Sequence, residues 1–409
     1  MSEISPVKPK ERYVILDALR GMALFGICIA NYPEFSLYSF LSKYVTSAMP
    51  TAGIDTVVKY LLYIFVDGKF YTIFSLLFGI GFSIILSNAT RNDRNNLNVF
   101  YRRMAVLTLI GLFHLLFIWA GDILLLYAIL GFVLTLFRNM PDKKLLIWSV
   151  ILLAFPVLID GFTQIYGWNL AAPVIKATGY FHDKYGITET NFPVWLADKQ
   201  NYADILKFNI AGSFIRMQEF IEGNRVFKVM GLFLIGLYIG RNRMYANLEK
   251  NKNLLKTIRF YGYIIGLPTS LLYAWSAMNG HPLGLAAHSA VYTVSVFPLS
   301  LAYISTICLW HINRKEHIFF RAMAAPGRMA LTNYIMQSVF GIIIFYGVGF
   351  ALGATLGLIY VEMIAIVIFL LQITYSHLWL SGLQFGPLEW AWRMLTYGKF
   401  LKIRKQQVL

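Results

Sequence analysis

The stretch Leu16–Tyr32, LDALRGMALFGICIANY, decides the fold. It is an apolar run long enough to enter a bilayer. Asp17 and Arg20 stand one helical turn apart near its start, and Asn31 stands at its far end. A charged side chain at the centre of a lipid-spanning helix costs roughly 2.5–3.5 kcal/mol by insertion scales, so such groups sit there with a partner or a task. At i and i+3, Asp17 and Arg20 share a helix face, where they can neutralise each other or reach a ligand together. The rise per residue puts Asn31 about 20 Å further along the same helix.

Composition agrees with a membrane location. Of 409 residues, 58% are hydrophobic and 14% charged, and the mean hydropathy is +0.59. A soluble domain carries nearer a quarter charged residues. The fold class expected is therefore all-α, a polytopic transmembrane helical bundle forming one domain over 1–409. The net charge is +16. Its basic residues cluster in short loops between apolar runs, which reads as the positive-inside rule rather than nucleic-acid binding. A basic pocket for a phosphate-bearing cofactor at the cytoplasmic face is the other use for such charge. Cys28 and Cys308 both lie in apolar runs, and neither a metal site nor a structural disulfide is expected. No small-residue cleavage site follows the first apolar run, so it reads as a retained helix.

Working outward, the first span covers about Tyr13–Tyr32, with Lys8, Lys10 and Arg12 before it placing the N-terminus in the cytoplasm. Pro33–Thr56 reads as an outer loop. Val57–Val66 is too short to cross, since a span needs about 20 residues. Phe70–Leu86 is a second span, followed by a basic loop with Arg91, Arg94, Arg102 and Arg103. Met104–Phe137 has basic residues at both ends, so it predicts two helices folded back at Ala120-Gly121-Asp122. Further spans are expected at Leu145–Phe162, Phe227–Ile239, Tyr261–Ala277, Ala287–Trp310, Leu331–Gly349 and Leu356–Tyr375. Residues 163–225 form an extracytoplasmic, partly helical insertion, in which ADILKFNIAGSFIRMQEFIE has the spacing of an interfacial amphipathic helix. HINRKEHIFFRAMAAPGR reads as a cytoplasmic loop, and 379–409, with Trp379, Trp390 and Trp392, as an amphipathic and basic cytoplasmic tail. The total is about ten spans with both termini inside.

Few residues carry chemistry. Asp17 and Arg20 form either an intrahelical ion pair or a cytoplasmic ligand contact, in which the planar guanidinium suits a phosphate. Asn31 either braces a helix end or orients a substrate. His114 stands two turns before Asp122, as a satisfied core residue or a general base. Asp122 at the hairpin tip caps the next helix or joins that base. Asp67, Lys69, Arg216, Glu219, Glu222 and Arg225 border the outer face, where a solvated rim explains them. His288 and Glu362 are buried polar candidates. In AAPGRMALTNYIMQS, Arg328, Thr332, Asn333 and Gln337 gather at a helix start, as polar capping or as a phosphate or pantetheine contact. No Walker, dinucleotide-binding, HExxH or Cys/His metal motif is present.

LDxLRG at the start of the first span resembles the membrane-bound acyltransferase superfamily, including the acyltransferase-3 proteins and the heparan-alpha-glucosaminide N-acetyltransferases. More closely, the chain resembles the bacterial DUF418 (YeiB-like) family. The match is carried by LDALRGMALFGICIANY, FYTIFSLLFGIGFSI, HLLFIWAGDILLLYAILG, GRMALTNYIMQS and FGPLEWAWRMLTYGK. Acyltransferase-3 proteins typically have His fourteen residues after the motif Asp, where this chain has Asn31. The glucosaminide N-acetyltransferases are similar in having Asn there, with a His shortly downstream; this sequence has none between Asn31 and His114.

The resemblance implies an acyl transfer enzyme of the cell inner membrane. Acyl-CoA would bind from the cytoplasm near Asp17, Arg20, Arg102, Arg103, Arg328 and Asn333. The acceptor, a glycan or lipid-linked group, would be met near Asn31, His114 and Asp122, with His114 as base. A transporter or lipid-handling protein without covalent chemistry is the second reading, and a scaffold of polar residues that only lock the bundle is the third. The sequence leaves open a homo-oligomer.

Overall fold

The computed structural model describes residues 13–87 and 93–405, so Lys8, Lys10, Arg12 and Arg91 lie outside the described residues. The chain is all-helical, and its only strand-like feature among the described residues is an isolated bridge between Leu383 and Arg404. In chain order the helices are α1 (Val14–Phe35), α2 (Lys43–Ser47), α3 (Ala52–Phe65), α4 (Lys69–Leu86), α5 (Asp93–Phe113), α6 (Leu124–Leu134), α7 (Asp142–Tyr166), α8 (Ala172–Tyr185) and α9 (Trp195–Asp198). They continue with α10 (Tyr202–Glu222), α11 (Arg225–Arg241), α12 (Lys252–Met278), α13 (Leu285–Asn313), α14 (Ile318–Arg328), α15 (Ala330–Phe345), α16 (Leu358–Gly382) and α17 (Pro387–Tyr397).

By length and composition six helices can cross a membrane, or seven if the bent pair α14–α15 is one span. The sequence expectation of ten is larger because it counted α6, α11 and α12. The first is 11 residues and the second 17, both short of a full crossing, and α12 begins with Lys252, Lys256 and Arg259. Three boundaries also move. Helix α1 runs past Pro33 to Phe35. The segment expected to be too short to cross belongs to a continuous apolar unit, 52–86, broken at Asp67-Gly68. Part of the expected loop HINRKEHIFFRAMAAPGR is α14, which meets α15 at 79°.

Helix α1 is the hub. It packs against α4, α14, α15 and α16, and Ala18, Ala23, Leu24, Cys28, Tyr32 and Phe35 on it are fully buried. Small residues set the closest crossings. A Cβ on Gly21 would lie 1.9 Å from the Met323 carbonyl oxygen, and one on Gly327 would lie 1.9 Å from that of Asp17. In lipid, where apolar burial drives no association, such backbone approach supplies the van der Waals contact that holds helices together. Helix α7 is the opposite case. It carries exposed Val150, Phe155 and Leu158, the apolar outer face expected of a helix turned to lipid.

The reversal expected at Ala120-Gly121-Asp122 is present. After α5 the chain widens into a π-turn at His114–Ile118 and then runs non-helical to the start of α6. A broken helix leaves carbonyls without partners, and α10 supplies them. Tyr202 donates to the Phe117 carbonyl, Asn209 to that of Ile118 at 3.3 Å, and Arg216 to those of Asp122 and Gly121 at 2.9 and 2.7 Å. These three donors are seven residues apart, two turns each, so one face of α10 is a clamp on the break. The stretch expected to be an amphipathic helix is therefore α10 itself.

Candidate functional site

One cavity of 1740 Å³ runs beside α1. Along α1 it is lined by Asp17, Arg20, Leu24, Ile27, Asn31 and Glu34. The spacing of three and four puts these side chains on a single stripe, which spans about 25 Å from Asp17 to Glu34 by the helical rise. The opposite face of α1, with Gly21 and Cys28, is packed. The cavity's middle is apolar, with Phe74, Phe78, Phe82, Met104, Leu107 and Tyr127.

The end at the start of α1 is basic. Arg20, Arg103, Arg321, Arg328, Arg393, Lys402 and Lys405 line it. Arg20 Nη1 lies 2.9 Å from Asp17 Oδ1, so the expected ion pair is formed within the cavity wall. The Arg103 guanidinium stacks 3.8 Å above the Trp392 ring, while Trp392 Nε1 donates to the Arg103 carbonyl at 3.0 Å. Arg328 donates to the Gln384 carbonyl. Helix α17 is fixed here by Glu389, whose carboxylate accepts from the Leu331 and Thr332 amides at 2.7 and 3.0 Å and from the Thr332 hydroxyl at 2.6 Å. Burial pushes the Glu389 carboxyl above its ordinary value, and the Thr332 and Leu331 hydrogen bonds pull it back.

The other end carries both signs of charge: Glu34, Asp67, Arg216 and Arg225 line it, with Asn31, Gly121 and Tyr71. Arg216 is engaged with Glu219 at 2.6 Å and with the α5–α6 break. Asp67 accepts from the Tyr273 hydroxyl.

His114 and Asp122 are brought together, at 2.8 Å between Nδ1 and Oδ2. The other ring nitrogen, Nε2, lies 2.9 Å from Ser338 Oγ. The second Asp122 oxygen accepts from the Leu125 amide at 2.8 Å, which is the helix-capping role that its position predicted. All three side chains are buried. None of them lines the cavity; their neighbours Gly121, Ile123 and Tyr334 do. An Asp–His–Ser chain of this order is the arrangement that activates a serine, but here it is enclosed in helix packing, and it ties the α5–α6 break to α15.

Of the residues expected at the cofactor end, Asp17, Arg20, Arg103 and Arg328 line the cavity, whereas Arg102 and Asn333 do not. Arg102 faces outward. Asn333 is buried, donating to the Pro326 carbonyl and Ser376 hydroxyl at 3.2 and 3.0 Å and accepting from Tyr375. The phosphate contact expected at the α15 start is filled instead by Glu389, a carboxylate in the place an anion would take. The sequence reading also missed Glu34, because Pro33 suggested that the helix had ended. The available signal was its position three residues beyond Asn31 on the Asp17–Arg20–Asn31 face. It missed Arg321, Arg393, Lys402 and Lys405, whose convergence needs tertiary structure.

A family model described as "Protein of unknown function (DUF418)" matches residues 239–399. The "Uncharacterized protein YxaH" of Bacillus subtilis (strain 168) is 30% identical over 99% of each chain. The "Uncharacterized 39.9 kDa protein in amylase 3'region" of Bacillus acidopullulyticus is 26% identical over 97% of each. The "Uncharacterized protein YeiB" of Escherichia coli (strain K12) is 28% identical over 94% of this chain and 96% of its own. No solved structure matches significantly.

Proposed function

The chain belongs to the DUF418 family, and from that premise we propose that it is a transmembrane acyltransferase, taking an acyl group from cytoplasmic acyl-CoA to an acceptor held at the opposite end of its cavity. The observation that supports this reading is a cavity with a basic mouth, an apolar middle and a mixed-charge far end. Its volume exceeds the roughly 300–1,000 Å³ of an ordinary small-ligand pocket, as a site for two substrates must. The arginines at the mouth suit the phosphates of coenzyme A, because guanidinium forks bind oxyanions bidentately. The apolar section takes the pantetheine arm and acyl chain.

Orientation follows from charge. Tyr13 meets Tyr245 edge to face, with ring centroids 4.9 Å apart, and Arg103 lies over Trp392. The start of α1, the 242–251 loop, the Arg103 turn of α5 and the C-terminal segment thus share one basic face, which the positive-inside rule assigns to the cytoplasmic side of the inner membrane. With that face inside, about ten helical passes, some shorter than a full span, return both termini to the cytoplasm.

In this reading Asn31 and Glu34 face the reacting groups. The acceptor's hydroxyl or amine attacks the thioester carbonyl, its proton passes to the Glu34 carboxylate, the C–S bond breaks, and the thiolate leaves to be protonated as free coenzyme A. His114, with Asp122 and Ser338, holds the wall of that end by fixing the α5–α6 break.

The test is saturable binding of radiolabelled acetyl- and long-chain acyl-CoA to the purified full-length protein, with mass spectrometry of lipids and glycans for the acylated product. Arg103→Glu is expected to weaken acyl-CoA binding about tenfold or more, the loss of one charge-assisted contact. Failure of every acyl-CoA to bind overturns the reading. The same cavity meets both ends of α1 and so also suits a transport pathway; substrate flux in proteoliposomes without any covalent product would favour that instead.

A further inference from the structure

The far end of the cavity holds four charged side chains, and their partners divide them into two pairs. Arg216 gives its hydrogen bonds to the Gly121 and Asp122 carbonyls and to Glu219. Asp67 is bonded by Tyr273. Glu34 on α1 and Arg225 on α11 are left. Among the described residues neither has a hydrogen-bond partner or an ion pair within 4 Å, and each is only half-buried, with its exposed side in the cavity. The Arg225 guanidinium lies over the Tyr71 ring, 5.5 Å from its centroid, a cation–π contact that puts no oxygen acceptor on its N–H donors. The two groups are held on separate helices and have not collapsed onto each other.

Charged groups enclosed in a low-dielectric space are costly unless paired. A cation and an anion facing one cavity without touching form a receptor for a ligand carrying the same charges in reverse. We propose that this end binds a zwitterion, its cationic nitrogen set against Glu34 and its anionic group against Arg225. A phosphoethanolamine headgroup and a free amino acid share that chemistry. The inference names the acceptor class and rests on the acyl-transfer reading for that role, though not for the binding itself.

The experiment uses the full-length protein in detergent, without acyl-CoA. Calorimetric titration compares soluble phosphoethanolamine and glycine with ethanolamine and methyl phosphate, which each carry one of the charges. Native mass spectrometry compares short-chain phosphatidylethanolamine with phosphatidylglycerol. A dipolar ligand is expected to bind about tenfold or more tighter than either single-charge analogue, as one added charge-assisted contact gives. Arg225→Gln should erase the advantage over ethanolamine, and Glu34→Gln the advantage over methyl phosphate, in variants whose melting temperatures stay at the wild-type value. Preference confined to the lipids identifies a headgroup; preference among the soluble ligands identifies a small molecule. Equal affinities, no binding of any dipolar ligand, or preferences untouched by both variants overturn the proposal. Acyl-CoA binding measured in parallel separates the two ideas. Zwitterion binding without acyl-CoA binding removes the acyl-transfer reading and keeps this site, and the converse removes this site alone.

Discussion

Ser338 gives its hydroxyl to His114, not to its own helix. Elsewhere in the bundle buried hydroxyls bond the carbonyl four residues back, as Thr72, Ser149 and Ser300 do. Ser338 instead meets Nε2 at 2.9 Å; the Asp122 carboxylate beside Nδ1 can only accept, so Nδ1 carries the proton and Nε2 of the neutral ring accepts from the hydroxyl. The three residues stand in a series in which the middle one matters most. Removing Ser338 deletes one bond and leaves one ring nitrogen unmet, about 1–3 kcal/mol. Removing His114 strands the Asp122 carboxylate in the helix packing, on the order of 3–5 kcal/mol. Denaturation in detergent should therefore rank His114→Ala well below Ser338→Ala in stability. Equal stability with loss of acyl transfer in both would instead mark the chain as catalytic machinery. This pairing was half legible in the sequence. His114 and Asp122 are close enough along the chain to be suspected as partners, whereas Ser338 arrives from more than two hundred residues away and carries no local mark. Glu34 was hidden by a rule of thumb. Proline ends soluble helices, but near the last turn of a membrane helix its missing hydrogen bond is tolerated, and the cavity-facing stripe continues through it.

At the level of elements, the contact between α1 and α14 explains why the motif LDALRG ends in glycine. The Cβ that any other residue would place at Gly21 meets the Met323 carbonyl, and the one at Gly327 meets the Asp17 carbonyl and Gly21 amide. Backbone atoms cannot swing aside, so the two helices would have to part. Gly21→Val is expected to cost about 1–3 kcal/mol or more by overpacking, and to loosen the cavity wall that carries Asp17 and Arg20. Gly53, inside α3 with nothing within 4 Å of its added Cβ, is the control. Gly53→Ala should be neutral or stabilising by up to about 1 kcal/mol from helix propensity. Thermal unfolding of both variants checks the contrast; a Gly21→Val protein as stable as the wild type removes the close-packing account. The helices themselves were legible as apolar runs. Which of them cross was less so, because periodicity reports a helix and not its neighbours. The 79° bend between α14 and α15 is set by tertiary packing, and it changes the span count without changing the hydropathy of the run.

For the whole molecule, sidedness decides whether the acyl-transfer reading is tenable, since coenzyme A thioesters are cytoplasmic. The basic mouth gathers residues from α1, α5, α14 and the C-terminal segment, and the 242–251 loop joins the same face through Tyr245. The insertion at 163–225 sits with α10 on the other face, clamped to the α5–α6 break. Cysteine labelling reads this directly. Native Cys28 and Cys308 are buried and stay silent toward a membrane-impermeant maleimide. Lys250→Cys, in the basic loop, and Glu189→Cys, in the insertion, both place a thiol at an exposed position. In cells whose membrane stays sealed, Glu189→Cys should label and Lys250→Cys should not; breaking the membrane should make both reactive. The reverse pattern would put the arginine mouth outside, where no acyl-CoA could reach it, and would leave the cavity as a pathway or receptor opening on the far side. The positive-inside rule favours the first outcome because the 242–251 loop and its flanks carry Arg241, Arg243, Lys250, Lys252 and Lys256 against the single acid Glu249, an imbalance that the insertion does not share.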